Sequence, residues 1–286
     1  MSYKQDTGKF RKNTKDQFYT NIIIAKECIQ HIYTYIPNID EYVWIEPSAG
    51  NGSFFHHIPE IVSDKIGLDI DPKGEDILLQ DYLSWDLPQS VLHRKIIIFG
   101  NPPFGRQSSI AKAFITKSCK FADVIAFILP KSFVKPSMNN VFNSKFHCIY
   151  SNELAKNSFL LNDIKYDVPC VFQIWQRQDI DRPITEKVNP VGFQYVTLND
   201  EYNIAFRRVG GLAGKCYKKD GKNYNKQSHY FLKLNDEFIQ YIDDIITKIN
   251  IYEFPSNTVG PRSLSKTEIN RVINSILRIT YLPLSL

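Results

Sequence analysis

Lys95-Ile96-Ile97-Ile98-Phe99-Gly100-Asn101-Pro102-Pro103-Phe104-Gly105 is the stretch that decides the fold. A continuous apolar run, rather than an alternating one, describes a strand buried on both faces, as in a parallel sheet covered by helices. Two consecutive prolines then end the ladder. Each fixes φ and neither has an N–H to donate, so their carbonyls and the preceding amide are held in one presentation. The Asn101 side-chain oxygen and the Pro102 carbonyl can together accept both hydrogens of a planar NH2 group. Such a nitrogen is a poor nucleophile because its lone pair is delocalised. Preorganised acceptors favour the pyramidal, charge-developing form that attacks an electrophilic methyl, with no strong base required. Phe104 would stack on the face of a base extruded into the pocket. A purely structural Pro-Pro turn is the alternative, and the neighbouring strand tips weigh against it.

Working outward, similar short apolar runs recur at Tyr42–Ile45, Lys65–Ile70, Ile77–Leu79, Val124–Leu129 and Val171–Trp175, and they read as buried strands. Ile22, Ala25, Ile29, Ile32 and Ile36 mark one face of a helix over residues 22–36. Ser53–Val62 and Ser108–Phe121 are long enough for crossover helices, so a doubly wound α/β domain with a mostly parallel sheet is expected. At 286 residues the chain has room for one large domain or a large and a small one. From about residue 180 the pattern loosens into Pro- and Asn-rich connections, followed by helical stretches at Asn235–Ile249 and Ser265–Leu277, the second with a Ser265/Glu268 capping box. The expected division is residues 1–180 as the catalytic domain with its N-terminal arm, and 181–286 as a small recognition region.

Ligands of open α/β sheets bind beyond the C-terminal ends of the strands. After the first strand, Glu46-Pro47-Ser48-Ala49-Gly50-Asn51-Gly52 permits a tight turn close to a ligand, with Glu46 able to pair with a cation such as an α-ammonium. The turn lacks the full GxGxxG spacing, which counts against a nicotinamide cofactor. The second strand ends Asp69-Ile70-Asp71-Pro72. Asp69 either accepts two ribose hydroxyls or is a turn residue before proline. The third ends Gln80-Asp81-Tyr82, an acceptor for an exocyclic amine and a ring to pack on a purine.

The ordered set Phe18-Tyr19-Thr20, Glu46-to-Gly52, Gly67-to-Asp71, Gln80-Asp81-Tyr82-Leu83 and Asn101-Pro102-Pro103-Phe104 resembles the class I S-adenosylmethionine-dependent amino-methyltransferases. Within these it is most similar to the adenine-N6 DNA methyltransferases in which a target-recognition domain follows the catalytic motif. The resemblance covers roughly residues 15–180. It implies a Rossmann-like sheet, S-adenosylmethionine as cofactor, and methylation of the exocyclic N6 of adenine in DNA after base flipping. It further implies that Tyr19, Thr20, Glu46, Pro47, Ser48, Ala49, Gly50 and Gly52 surround the methionine moiety. Asp69 and Ile70 would meet the ribose, Asp81 and Tyr82 the adenine, and Asn101, Pro102, Pro103 and Phe104 would carry catalysis, with Asn101 also touching the cofactor. The family places an aromatic against the flipped base, for which Phe159 and Tyr166 are both candidates. The same catalytic motif is shared by enzymes acting on RNA adenine, guanine amines and protein glutamine, and a non-catalytic nucleic-acid-binding subunit is a further alternative.

Charge narrows these choices. The net +5 is uneven: residues 1–190 hold 22 Lys/Arg against 21 Asp/Glu, and residues 191–286 hold 13 against 9. Ile204–Lys233 carries Arg207, Arg208, Lys215, Lys218, Lys219, Lys222, Lys226 and Lys233 against Asp220 alone, interleaved with Phe206, Tyr217, Tyr224, Tyr230 and Phe231. Cations meet phosphates and aromatics stack on bases, so nucleic acid is the expected partner. Arg207, Arg208, Lys215, Lys218 and Lys219 are the candidate contacts, with the loop Thr258–Lys266 as a second phosphate site or an ordinary cap. A solvated, lysine-decorated loop is the bland reading. Five cysteines without a CxxC pair, and histidines without ligand spacing, predict neither disulfides nor a metal. A polar N-terminus and no long apolar stretch predict a protein outside membranes, in a reducing intracellular compartment.

Overall fold

A computed structural model describes residues 19–161, 164–183, 188–255 and 261–281. Phe18, the N-terminal arm and Thr258–Gly260 lie outside the described residues. The chain divides into two compact units, Met1–Pro183 and Ile184–Leu286.

The first unit runs β1 (Tyr19–Thr20), α1 (Ile22–Tyr35), β2 (Tyr42–Glu46), β3 (Lys65–Asp69), β4 (Ile77–Leu79), β5 (Lys95–Gly100), α2 (Ser109–Ser118), β6 (Val124–Pro130), α3 (Pro136–Asn139), β7 (Phe146–Glu153), β8 (Phe159–Leu161), β9 (Ile164–Tyr166) and β10 (Cys170–Arg177). Seven strands form one sheet in the order β4-β3-β2-β5-β6-β10-β7. The pairs β2/β3, β3/β4, β2/β5 and β5/β6 are parallel, whereas β10 is antiparallel to both β6 and β7. Strand order reverses between β2 and β5, so their C-terminal tips open the crevice where such sheets hold ligands. A smaller sheet, β1-β8-β9, is antiparallel and aligns Thr20 with Phe159.

The long apolar runs exist because both faces of the large sheet are covered. Ile97 and Phe99 of β5, with Ala126 and Ile128 of β6, pack into the core beneath α1; Ile96 and Ile98, with Ile125, Phe127 and Leu129, pack into the core beneath α2. Asn21 caps α1, its Oδ1 accepting the Ile23 amide at 2.9 Å.

Two expectations are corrected in this unit. Residues 53–62 contain no α-helix, only a 3-10 turn at Phe55–His57. The reason is Pro59: the residue before a proline avoids the α region, and Ile58 is extended at φ −58°, ψ 134°. β4 forms as expected but is not buried. It is the sheet's edge, with Leu79 73% exposed.

The second unit holds β11 (Phe193–Val196), β12 (Ile204–Arg207), β13 (Cys216–Lys218), β14 (His229–Leu234), α4 (Asp236–Ile239), α5 (Ile242–Ile251) and α6 (Lys266–Tyr281). The strands make an antiparallel sheet in the order β11-β14-β12-β13. Phe193, Ile204, Phe206, Leu232 and Leu234 pack against Ile245 and Ile249 of α5 and Ile269, Ile273 and Leu277 of α6. The helix expected over Asn235–Ile249 is therefore two pieces, and the loosely patterned basic stretch is largely sheet. At the start of α6 the Ser265 amide donates to Glu268 Oε2 at 2.8 Å, and the Glu268 amide donates to Ser265 Oγ at 3.3 Å. Ser265→Ala is expected to cost about 1 kcal/mol of stability, read as a lowered midpoint in denaturant with an unchanged slope. A midpoint equal to that of wild type would show that the box contributes nothing.

Candidate active site

The tips of β2, β3 and β5 and the segment after β4 converge on one open cavity of about 770 Å³. Its wall includes Tyr19, Pro47, Ser48, Gly50, Asp69, Ile70, Asp71, Asp81, Leu83, Asn101, Phe104 and Ile110. The size is that of a small-molecule site.

Gly50, at φ +53°, is the pivot of the turn after β2, and a Cβ there would lie 3.1 Å from a ring carbon of Tyr19. Its amide donates to Asp69 Oδ2 at 2.7 Å, while the Asp71 amide donates to Asp69 Oδ1 at 2.8 Å. The Gly50 carbonyl accepts the amides of Lys73 and Gly74, at 2.8 and 3.2 Å. Asp69 is thereby fixed in orientation, and each of its oxygens keeps a lone pair for a further donor. Asp81 Oδ1 accepts the Leu83 amide at 2.9 Å. Lys117 Nζ pins this segment by donating to the carbonyls of Leu83, at 3.2 Å, and Trp85.

Gly100 ends β5 at φ +118°, the left-handed region open to glycine. A Cβ there would meet Glu46 Cγ and Oε1, each at 3.0 Å. Glu46 is 2% exposed, and its Oε2 has no hydrogen-bond partner among the described residues. Burial pushes its carboxyl well above the usual carboxylate range; a hydrogen bond from the Phe55 backbone opposes this and the Asp69 charge adds to it. Ser48 Oγ donates to the Asn101 carbonyl at 3.1 Å, tying the first glycine turn to the Asn-Pro-Pro-Phe segment. The Phe104 carbonyl accepts the amides of Ile110 and Ala111, at 3.2 and 3.4 Å, anchoring that segment to the start of α2.

Of the candidate residues, Tyr19, Pro47, Ser48, Gly50, Asp69, Ile70, Asp81, Asn101, Pro102, Pro103 and Phe104 come together on the cavity. Thr20, Glu46 and Ala49 are buried and, like Gly52, are not part of its lining. Tyr82 borders the cavity, but its ring is not the platform expected for a purine. It is 1% exposed, packed on Phe114, with its hydroxyl 2.8 Å from Ser118 Oγ. Ile70, Leu83 and Ile110 are the exposed large apolar side chains of the lining. Phe159 is also corrected: at 1% exposure it belongs to the core beside α1 and leaves no face for a base. Tyr166, half-buried opposite it, does not line the cavity.

Asp71 and Leu83 are wall residues to which the sequence assigned no role, although both lie inside the quoted motifs. Sequence reasoning missed Ile110 and Phe114, whose signal is their four-residue spacing on the helix that follows Phe104.

In the second unit Phe206 and Phe231 are core residues rather than stacking platforms. Arg207 Nε donates to the Val209 carbonyl at 2.9 Å, Arg208 to that of Gln227 at 2.6 Å, and Lys215 to that of Asn250. Lys218 pairs with Asp243 at 3.0 Å, and Lys219 lies over the Tyr202 ring at 4.9 Å. Lys222 and Lys233 pair with Asp220 and Glu201. The segment's net charge is therefore partly answered by acids beside and beyond it. Among the described residues no cluster of His, Cys, Asp or Glu could hold a metal ion, and no helix is long and apolar enough to cross a membrane.

No protein-family model and no curated protein matches the sequence. Solved structures do. A Pyrococcus horikoshii protein assigned as an RNA methyltransferase is 16% identical with a TM-score of 0.45, over 58% of this chain and 90% of that one. A Listeria monocytogenes protein assigned as a class I S-adenosylmethionine-dependent methyltransferase is 14% identical with a TM-score of 0.45, over 61% and 65%. The M protein of the EcoKI type I restriction enzyme is 17% identical with a TM-score of 0.43, over 59% and 45%. With identities under 20% and TM-scores under 0.5, none of these likenesses decides the fold or the activity of this chain. The first unit's own strand order, with four parallel pairings and an order reversal between β2 and β5, is that of a doubly wound α/β sheet.

Proposed function

We propose that the protein is an S-adenosylmethionine-dependent methyltransferase acting on the exocyclic N6 of adenine in DNA. The observation that carries this reading is the Asn101-Pro102-Pro103-Phe104 turn opening onto the same cavity as the Gly50 turn, Asp69 and Asp81. The lining fits the cofactor. Among the described residues three acids, Asp69, Asp71 and Asp81, and no lysine or arginine line the cavity, which suits a cationic nucleoside and not a phosphate-rich dinucleotide. The unpartnered Oε2 of Glu46 and the cradle at Gly50, which a Cβ would fill, are further features that such a ligand satisfies.

When bound, the cofactor supplies an electrophilic methyl on a sulfonium. Asp69 would accept the ribose hydroxyls with its free lone pairs, while Ile70 and Leu83 would cover the purine. The Asn101 side-chain oxygen and the Pro102 carbonyl would accept the two N6 hydrogens of the target, drawing positive charge toward them as the nitrogen becomes pyramidal. Phe104 would hold the flipped ring by its face. The basic surface of the second unit would hold the phosphates, with Arg207, Arg208, Lys215 and Lys219 as contacts. Lys218, paired with Asp243, is the weakest of the five candidates.

Incubation with methyl-labelled cofactor and, separately, duplex DNA, RNA and protein tests the substrate class. Label is expected in DNA. Label confined to RNA would move the assignment to RNA adenine, and label confined to protein would move it to glutamine amides. No transfer to any of them would leave a binding subunit.

A further inference from the structure

Glu46 is the last residue of β2 and is buried, directly before Pro47 and Ser48 of the cavity wall. Gly100 of β5 lies against its Cγ and Oε1, and the Phe55 amide bonds its carboxyl from the turn that follows. Asp69, at the tip of β3, carries the same charge sign and acts on it unfavourably. Of the histidines in that turn, His56 Nε2 is engaged with the Glu75 carbonyl at 3.1 Å and His57 Nδ1 with the Ser53 carbonyl at 3.0 Å. None of the cations in the ion pairs among the described residues is paired with Glu46. A buried carboxylate with one oxygen unpartnered and no counter-charge is costly to hold ionised, and a proton removes that cost.

We propose that Glu46 is a neutral carboxylic acid in the ligand-free protein and loses its proton when the α-ammonium group of the cofactor docks beside it, so that each cofactor bound releases one proton. This rests on the cofactor reading of the cavity. The O–H bond of Glu46 breaks, its proton passes to solvent, and a charge-assisted N–H···O bond to the ammonium replaces it. The acid thus answers the amino-acid half of the ligand, while Asp69 and Asp81 answer the nucleoside half. Below the pKa of Glu46 in the free protein, and above that in the complex, one released proton means affinity that tightens tenfold for each unit rise in pH.

Calorimetry on the full chain at about pH 6.5, where an α-ammonium with pKa near 8 stays protonated, tests this in two buffers of different ionisation enthalpy. S-adenosylhomocysteine carries the ammonium without the sulfonium, and methylthioadenosine lacks the amino-acid half. The expected result is net proton release with the first and none with the second, and none with S-adenosylhomocysteine in Glu46→Gln. Binding of S-adenosylhomocysteine to wild type without proton release, or equal release from Glu46→Gln, would overturn the proposal. Failure of both ligands to bind would overturn the cofactor reading itself.

A ligand-free measurement separates the two. With its folded pKa raised above its unfolded value, Glu46 stabilises the fold fully below the unfolded pKa, and this contribution is lost as pH rises through the folded pKa. Glu46→Gln does not titrate, so its stability relative to wild type should grow as pH rises from 4.5, the ordinary glutamate value. A difference that stays flat with pH would show Glu46 ionised from the start and overturn the proposal independently of any ligand.

Discussion

Asn101→Ala is expected to lower methyl transfer by about 10²–10³-fold, the size of effect seen when one preorganised polar group is removed from a charge-developing centre. Cofactor affinity should change little, because in the proposed reading Asn101 would face the target nitrogen while Ser48, Gly50, Asp69 and Asp81 would hold the cofactor. The variant should also fold. The Asn101 backbone carbonyl, not its side chain, accepts the Ser48 hydroxyl, so that link survives truncation. Asn101→Asp keeps an acceptor oxygen at the same place and should retain more turnover than Asn101→Ala. The check is a single-turnover rate beside a calorimetric Kd for each variant. Wild-type turnover in Asn101→Ala would remove the side chain from the chemistry. Loss of cofactor binding in step with turnover would make it a cofactor ligand instead.

Gly100→Ala is expected to damage the site heavily. At φ +118° the backbone is strained for any L side chain, a penalty of about 1–3 kcal/mol. The new Cβ would also sit 3.0 Å from two buried atoms of Glu46, which is enclosed and has little room to move. Overpacking of this kind adds about 1–3 kcal/mol. The combined loss should appear as a large drop in denaturation midpoint and, if the variant still folds, as weakened cofactor binding through the displaced Glu46. Stability within about 0.5 kcal/mol of wild type, the range of ordinary surface substitutions, would contradict the account of this strand tip.

The central sheet could be read from sequence because its inner strands are buried on both faces. Ile96 through Phe99 and Val124 through Leu129 have no polar position to confuse with a helix face, and the tips of β2, β3 and β5 carry residues that converge on the cavity. The edge strand β4 was found but its burial was not, since three apolar residues look alike whether or not a neighbour covers them. Pro59 decided against a crossover helix in residues 53–62, overriding a helix-like spacing of Phe54, Phe55, Ile58 and Val62. In the second unit, short strands carrying lysines at outward positions read as a basic loop. The aromatics Phe206 and Phe231 looked available because nothing local shows that α5 and α6 lie on one face, or that Tyr202 packs against Phe231 on the other. Tyr82 and Phe159 mark the same limit at the candidate site. A motif can place a residue beside a ligand crevice, but the direction of its ring is set by tertiary partners such as Ser118, Phe114 and Thr20.

The central claim is that the Asn-Pro-Pro-Phe turn presents an exocyclic nitrogen to the methyl group. It is tested most directly by supplying cofactor with a trideuterated methyl to the full-length protein and duplex DNA, then hydrolysing the product and locating the label by mass spectrometry. The account predicts trideuteromethyl on the N6 nitrogen of adenine, absent from reactions with Asn101→Ala. Label on a ring carbon, a ring nitrogen or a carboxylate oxygen would contradict it.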